Sequence, residues 1–477
     1  MDVVSLHSLR RRRPVTKAQS RPFHLTIVHP CVGRRAGSRA YMLTWKMESL
    51  PAALISALAP PDVERSFYDD RFEPIPFDRP TDLVAISVET YTARRAYQIA
   101  SEYRARGVPV VMGGYHATLC PDEVARYAES VVVGEAEALF PQVIDDYRHG
   151  TPRKIYRAAG RPDLGAPSQV TPDRSIFRGK RYLPIRLLEF ARGCKFRCEF
   201  CAVQSFHSAT QTHRRVDHVL AELARVRRPG QLVFFIDDNI TSDIESAKEL
   251  MRAMLPLGVR WVSQSSIEVA FDDEALDLMK RSGCQGVLVG FESLDPTTLK
   301  QMRKGFNAQN GGPPAALERF RKHGLRIYGT FVFGYDHDTE ATFEETLAFA
   351  QDQGLFISAF NHITPFPGTP LYARLQKEGR LLMEPWWLHE RYRYGMVPFQ
   401  PRSLSPERLA DLCIEARKRF YGWPSIGKRF GHWVNLRDPL MAAYFVVINA
   451  MHQIDVGGRH GLPLGDAGHM VELLEAA

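Results

Sequence analysis

"RGCKFRCEFCAV", residues 192–203, holds three of the chain's seven cysteines, Cys194, Cys198 and Cys201. As a ligand set it is one short. A structural zinc site takes four ligands and here would need His207 or His213 to complete it. An iron–sulfur cube is ordinarily held by four thiolates. With three, one iron stays open to a substrate or cofactor, in the way that catalytic zinc keeps an open position.

Working outward, the apolar run "PIRLLEF" (184–190) leads into the cysteines, and the same rhythm repeats downstream. "QLVFFIDDNI" (231–240), "VRWVSQSSIE" (259–268), "CQGVLVGFES" (284–293), "LRIYGTFVFGYD" (325–336) and "FISAFNHITPFPGTPLY" (356–372) are strands, separated by amphipathic helical stretches. Six strand-then-helix units fall short of the eight that close a full barrel, so 184–375 is expected to be a partial (β/α)6 barrel. In such folds the chemistry sits at the carboxyl ends of the strands, where the cysteines lie.

Upstream, "FHLTIVHP" (23–30), "DLVAISVET" (82–90), "VPVVMGGYH" (108–116) and "SVVVGE" (130–135) are short, continuous apolar runs alternating with helices. That pattern predicts an α/β, flavodoxin-like doubly wound parallel sheet over 23–150. Ligands of such sheets bind at the strands' carboxyl ends. Here those ends carry "SVET" (Ser87 to Thr90), "GGYH" (with Gly113 and Gly114) and "GEAE" (with Gly134 and Glu135). Residues 151–183, rich in proline, glycine and charge, read as a linker. Residues 376–477 have helical patterns and aromatics without a strand rhythm, and are expected to form a small helical domain. Residues 1–22, with Arg10–Arg13, read as a disordered basic tail.

Composition narrows the class. An odd, unevenly spaced set of seven cysteines is no secreted disulfide framework and fits a reducing cytoplasm. The net charge of +8 is scattered and accompanies no nucleic-acid-binding signature, so no nucleic acid is expected. The N-terminus lacks the apolar segment of a signal peptide. The apolar run "PLMAAYFVVINAM" (439–451) is too short to span a bilayer and reads as a buried helix or a surface that meets an apolar partner, peripheral membrane contact included. Cys31, Cys120, Cys284 and Cys413 share no ligand spacing and read as small core residues.

"CKFRCEFC" after the first strand of a partial barrel resembles the radical S-adenosylmethionine superfamily. The resemblance implies that Cys194, Cys198 and Cys201 bind three irons of a [4Fe–4S] cluster while S-adenosylmethionine chelates the fourth. An electron from the cluster then cleaves the sulfonium to give a 5′-deoxyadenosyl radical. Phe200 matches the position whose backbone contacts adenine. Asp237, Asp238 and Asn239 in "FIDDN" stand where that superfamily usually has Gly-Gly-Glu. Ser263 and Gln264, Glu292 and Ser293, and Gly334 at the end of "GTFVFG" resemble its ribose, carboxylate and adenine contacts.

"MGGYHATLCPDEV", "VVVGEAE" and "PFPGTPLY" extend the resemblance to the cobalamin-binding class of these enzymes, in the subgroup with hopanoid methylases and chlorophyll-pathway enzymes. Ser87, Thr90, Gly113, Gly114, Gly134 and Glu135 are then the expected cobalamin-side contacts. The usual Asp-x-His-x-x-Gly phrase is absent. "HPCVG" stands in its place, so that His29 is either a cobalt ligand or a capping histidine. The class implies a cobalamin-dependent C-methyltransferase that acts on an unactivated carbon through the 5′-deoxyadenosyl radical and methylcobalamin, and the aromatic "PWWLHERYRYG" and "FYGWP" with the apolar 439–451 run lead us to expect a hydrophobic or secondary metabolite as substrate. It also implies an electron donor such as flavodoxin or ferredoxin. Cyclisation, rearrangement and oxygen insertion use the same architecture, and a non-catalytic cobalamin or cluster sensor would share its motifs.

Overall fold

The structure, a computed structural model, describes residues 21–38, 44, 46–166, 169–469 and 473–475. The basic run Arg10–Arg13 lies outside the described residues.

Six parallel strands form the N-terminal sheet: β1 (His24–His29), β2 (Glu64–Asp69), β3 (Leu83–Ser87), β4 (Val110–Gly113), β5 (Ser130–Val133) and β6 (Ile155–Arg157), in the order β2-β1-β3-β4-β5-β6. The central strands read as unbroken apolar runs because helices cover both faces. On one side, α1 (Leu50–Leu58) packs Ala53 and Leu58 against Leu25 and Ile27. On the other, α2 (Ala93–Arg104) packs Ala96, Tyr97 and Ile99 against Val28 and Val84.

Residues 151–183 are more than a linker. Their start supplies β6, an edge strand whose single inward residue, Tyr156, is 2 % exposed. Farther on, Phe177 meets Phe67 edge to face at 5.6 Å in the same core. Arg174 bridges Glu48 (2.9 Å) to Glu222 of the following domain (2.8 Å). Proline, glycine and charge mask a three-residue strand with one buried position, so nothing periodic announces it.

The second sheet is also parallel and six-stranded: β7 (Ile185–Leu188), β8 (Leu232–Phe235), β9 (Arg260–Ser265), β10 (Cys284–Glu292), β11 (Arg326–Phe333) and β12 (Ile357–His362), ordered β12-β11-β10-β9-β8-β7. It is the expected partial barrel, open between its two edge strands.

The C-terminal region is helical, as expected, but it is divided between the two sheets. Helix α4 (Pro406–Phe420) buries Leu409, Cys413 and Phe420 in the barrel core. Trp386, Trp387 and Tyr392 lie instead in the N-terminal core with Tyr97. Residues Gly465–Asp466 add a short parallel strand to Gly33–Arg34. A small cluster of Ile426, Met441 and Phe445 closes over Phe356 beside the edge strand β12.

Candidate functional site

The cysteine loop is fixed from several directions. After β7 the chain forms a short hairpin, Ala191–Gly193 against Gln211–His213. Gly193 has φ +88°, and a Cβ there would lie 2.1 Å from the Thr210 carbonyl oxygen, so the residue before Cys194 must be glycine. Asp238 accepts from the Gly193 amide (2.7 Å), and Ser242 accepts from the Lys195 amide (2.8 Å). Phe196 stacks on Phe306 at 4.0 Å, and the Glu199 amide donates to the Met302 carbonyl (3.1 Å).

Cys198 is buried, while Cys194 and Cys201 are half-buried. Burial pushes the Cys198 thiol up to about 12, with Cys201 and Cys194 adding to the rise against Lys304. Cys201 is raised too, chiefly by burial, although the amides of Gln204 and Val203 point at its sulfur. It caps the helix α3 (Ala202–His207). A cationic metal centre beside them would reverse the rise at Cys198 and Cys201, since the thiolate and not the thiol is the ligand. Among the described residues no three His, Cys, Asp or Glu side chains gather about one point, as a single zinc ion would require. Of the proposed fourth zinc ligands, each imidazole has one ring nitrogen engaged elsewhere. His207 Nε2 meets the Tyr115 hydroxyl at 3.3 Å, and His213 Nε2 meets Ser246 Oγ at 3.1 Å. A cube gives each thiolate its own iron and does not need them to converge. The donor set fits a cluster.

The polar strand ends around the loop divide into two groups. Asn239 donates to Cys194 Sγ at 3.5 Å and turns its oxygen to the Ser266 amide. Glu292 sits at a bulge with φ +65° and pairs with Lys304 at 2.7 Å. Burial opposes the Lys304 ammonium, but Glu292 and Cys198 outweigh it and hold its pKa above the usual value. Gln264 is half-buried at the end of β9. Phe200 packs, partly buried, on the barrel core.

Other expected contacts are engaged in holding the fold. Asp237 is 1 % exposed and takes both the Phe190 (2.8 Å) and Ala191 (3.0 Å) amides. Ser263 donates to the Phe235 carbonyl, Ser293 accepts from the Asp295 amide, and the Gly334 amide donates to Asp338. Thr90 lies behind the strand end, with its hydroxyl 3.3 Å from His116 Nδ1.

Between the two sheets lies a cavity of about 300 Å³, mostly apolar, onto which the ends of β3, β4 and β5 open from one side and those of β7 and β8 from the other. Ser87, Gly113, Gly114, Gly134 and Glu135 line it from the N-terminal sheet, and Asp238 and His207 from the cysteine side. Gly114 has φ +98° and a Cβ would come within 2.9 Å of the Val88 carbonyl oxygen, whereas a Cβ on Gly134 would meet nothing within 4 Å. The wall by Gly134 is thus a cradle that a side chain would fill. Two polar atoms of the cavity wall, Glu137 Oε2 and His207 Nδ1, are buried without a hydrogen-bond partner. An orphaned carboxylate oxygen and an orphaned imidazole nitrogen around an apolar hollow suit a flat, amide-rimmed macrocycle, and cobalamin fits the residues present.

The surroundings of several side chains here go beyond what the sequence could indicate. Glu89 projects into the cavity, where burial raises its carboxyl against Arg71. Burial, with Arg161 and Arg192 beside it, lowers His207 to about 3, and burial takes His29, which also lines the cavity, to about 4; both imidazoles are neutral at physiological pH. Arg192, inside the cysteine motif, reaches Glu189 (2.9 Å) and across to Glu137 (2.5 Å) and Glu135 (3.1 Å). Burial opposes its charge, yet the three carboxylates hold its pKa well above the usual value. The motif's RGC spelling was visible; that its arginine reaches the other domain was not.

Residues 188–350 match the radical SAM superfamily and residues 62–144 the B12 binding domain. Bacteriochlorophyllide d C-12(1)-methyltransferase of Chlorobaculum tepidum is 32% identical over 394 residues, 80% of this chain and 84% of that protein. The chain belongs to the cobalamin-binding radical S-adenosylmethionine enzymes. Its cofactors are therefore a [4Fe–4S] cluster, S-adenosylmethionine and cobalamin. The enzyme is also 25% identical to the hopanoid C-2 methylase of Rhodopseudomonas palustris, over 69% of this chain and 62% of that one. Solved structures resemble it in fold. The radical S-adenosylmethionine methyltransferase TsrM of Kitasatospora setae, bound to cobalamin and a [4Fe–4S] cluster, has a TM-score of 0.57 at 17% identity over 75% of each chain. The cobalamin-dependent radical enzyme OxsB has a TM-score of 0.58 at 13% identity, over 92% of this chain and 72% of that one.

Proposed function

We propose that this enzyme methylates a carbon atom of a hydrophobic small molecule. The observation that carries the reading is the cavity, which sets Ser87 at the end of β3 and the glycine-bearing ends of β4 and β5 opposite Arg192, Phe206 and His207, on either side of the cysteines, with apolar walls between them. When bound, the cluster with S-adenosylmethionine supplies a hydrogen-abstracting radical, and the corrinoid supplies the methyl group. The chain's own part is to hold these groups and exclude water. In our reading Cys194, Cys198 and Cys201 hold the cluster. Asn239, Gln264, Glu292 and the Phe200 backbone face S-adenosylmethionine, and Ser87, Gly113, Gly114, Gly134 and Glu135 line the corrinoid's berth. His29, neutral and 3.1 Å from Ser49 Oγ, offers the corrinoid an uncharged wall. The apolar lining (Ile86, Val132 and Phe140 among it) favours a hydrophobic substrate and keeps the radical from water. A low-potential flavodoxin or ferredoxin is the electron donor that such chemistry needs.

The test supplies flavodoxin-reduced holoenzyme with methyl-labelled S-adenosylmethionine and, as first probe, the bacteriochlorophyllide that the 32% identical relative methylates. Methyl transfer yields S-adenosylhomocysteine and 5′-deoxyadenosine together, with label in the product. A second reading rests on the anaerobic magnesium-protoporphyrin IX monomethyl ester cyclase of Cereibacter sphaeroides, 24% identical over 71% of this chain. Under it, 5′-deoxyadenosine forms without S-adenosylhomocysteine, and that result would overturn methyl transfer.

A further inference from the structure

Nine large apolar side chains stand exposed among the described residues, and six of them fall between 423 and 454: Trp423, Trp433, Leu436, Val446, Val447 and Ile454. Trp423 and Trp433, 58% and 54% exposed, each open a helix, α5 (Trp423–Phe430) and α6 (Trp433–Leu436). Leu436 ends α6, and the other three belong to α7 (Pro439–Arg459).

Helix α7 is apolar and long enough by composition to cross a membrane, yet only 28% of its apolar window is buried. Its inner face is bolted to the barrel. Asn449, fully buried, donates to the Phe356 carbonyl (3.1 Å) and accepts from Arg429 (3.0 Å), and Phe445 packs edge to face on Phe356. A helix held by such contacts lies along the barrel flank and does not leave it to span a bilayer. The outer face carries Val446, Val447 and Ile454, and residues 440–454 include no Asp, Glu, Lys or Arg. A helix face left apolar and uncharged on the outside of a folded protein marks an interaction surface.

The flanking charge says which kind. Residues 416–437 contain six Lys or Arg and no Asp or Glu. Arg429 is buried, while Lys418, Arg419, Lys428 and Arg437 are exposed. Arg419 and Lys428 pair with Glu344 and Asp352 on the neighbouring helix Glu340–Asp352, in exposed pairs that are readily exchanged. Exposed tryptophans, an uncharged apolar helix face and adjacent cations are what the headgroup layer of an anionic bilayer accommodates: indoles at the interface, aliphatic chains just below it, cations among the phosphates.

We propose that the face made by α5, α6 and the outer side of α7 docks on an anionic lipid bilayer, with the helices lying in the surface. The inference stands independently of the methyl-transfer reading. Its test uses the full-length holoenzyme in co-sedimentation with vesicles of phosphatidylglycerol and phosphatidylcholine, or of phosphatidylcholine alone. Binding is expected to the anionic vesicles, at least about tenfold stronger than to neutral ones, and to weaken as salt rises. Val447→Glu and Ile454→Glu, each on an exposed side chain, should lower that binding about tenfold or more with the thermal unfolding curve unchanged. Trp433→Ser serves as a second, independent probe of the same face. Failure of the wild-type enzyme to bind anionic vesicles overturns the proposal. So does a light-scattering result in which Val447→Glu converts an oligomer to a monomer, since the face would then meet a second copy of the chain.

Discussion

Gly114 and Gly134 both have positive φ, yet they predict different losses. At Gly114, alanine would combine left-handed strain with a Cβ 2.9 Å from the Val88 carbonyl oxygen, and about 2 kcal/mol of stability should be lost in denaturant unfolding. Gly134→Ala shares the strain but meets nothing, and should cost only about 1 kcal/mol. Its methyl group enters the hollow that the corrinoid is proposed to fill, so corrinoid affinity should fall about tenfold in spectroscopic titration while the protein stays folded. Unchanged corrinoid affinity in Gly134→Ala would show that the wall at Gly134 is not the corrinoid's berth. For the cysteines, Cys198→Ala should leave far less than the roughly four irons per chain expected of the wild type after anaerobic reconstitution, and should leave corrinoid binding intact. At this scale the sequence was informative about residue types and silent about direction. Asp237 and Asp238 are adjacent acids at a strand end, and only the fold shows that the first serves two backbone amides while the second faces the cavity.

Among the elements, the buried parallel strands were legible because both their faces are covered, which writes an unbroken apolar run into the sequence. The edge strand β6 was not, since an edge exposes half its residues and here leaves only Tyr156 inside. The same reasoning explains a charge cluster that no local pattern announces. Asp70, just past β2, accepts a two-pronged bond from Arg95 of α2 (2.8 and 2.9 Å) and pairs with Arg34 at 2.6 Å. Burial alone would raise its carboxyl, but Arg95 and Arg34 outweigh burial and hold it below the ordinary value. A carboxyl depressed in the folded state contributes stability above its unfolded pKa, and that contribution is lost as pH falls through the folded one. The N-terminal sheet should therefore lose stability below about pH 4. Asp70→Asn should already be weakened at pH 7, by about 3 kcal/mol, because it leaves Arg34 and Arg95 with Asp466 alone, at 3.4 and 4.0 Å, as their shared carboxylate. The variant's stability should also fall less steeply in acid, as followed by circular dichroism melts from pH 7 to 3. An acid slope identical to that of the wild type would place the acid sensitivity elsewhere.

For the molecule as a whole, two domains share one site, and their alignment has a physical cause in Arg192. The residue precedes Cys194 by one glycine, yet its guanidinium joins Glu189 beside it to Glu135 and Glu137 of the opposite sheet. Arg161 adds a second tie, to Glu135 at 3.1 Å and to the Thr212 hydroxyl of the cysteine hairpin at 3.0 Å. The C-terminal wrapping, which packs Trp387 with the N-terminal core and α4 with the barrel, holds the domains together in bulk. Such long-range contacts leave no period in the sequence, which is why a separate small domain was expected there. Packing of that kind fixes distance more than orientation, whereas a charged fork fixes both. Arg192→Met keeps the length of the side chain and removes the fork. It leaves Glu137 and Glu189 without their cation and Glu135 with Arg161 alone, at a largely dry wall, a loss of about 3 kcal/mol in local stability. The expected signature is faster hydrogen exchange at residues 134–137 and weaker corrinoid binding, with iron content preserved because the three cysteines are intact. Adding Glu137→Gln removes one of the stranded charges and should recover part of both losses, a coupling that independent sites would not show. Unchanged exchange at 134–137 in Arg192→Met would mean that C-terminal packing alone sets the geometry between the two sheets.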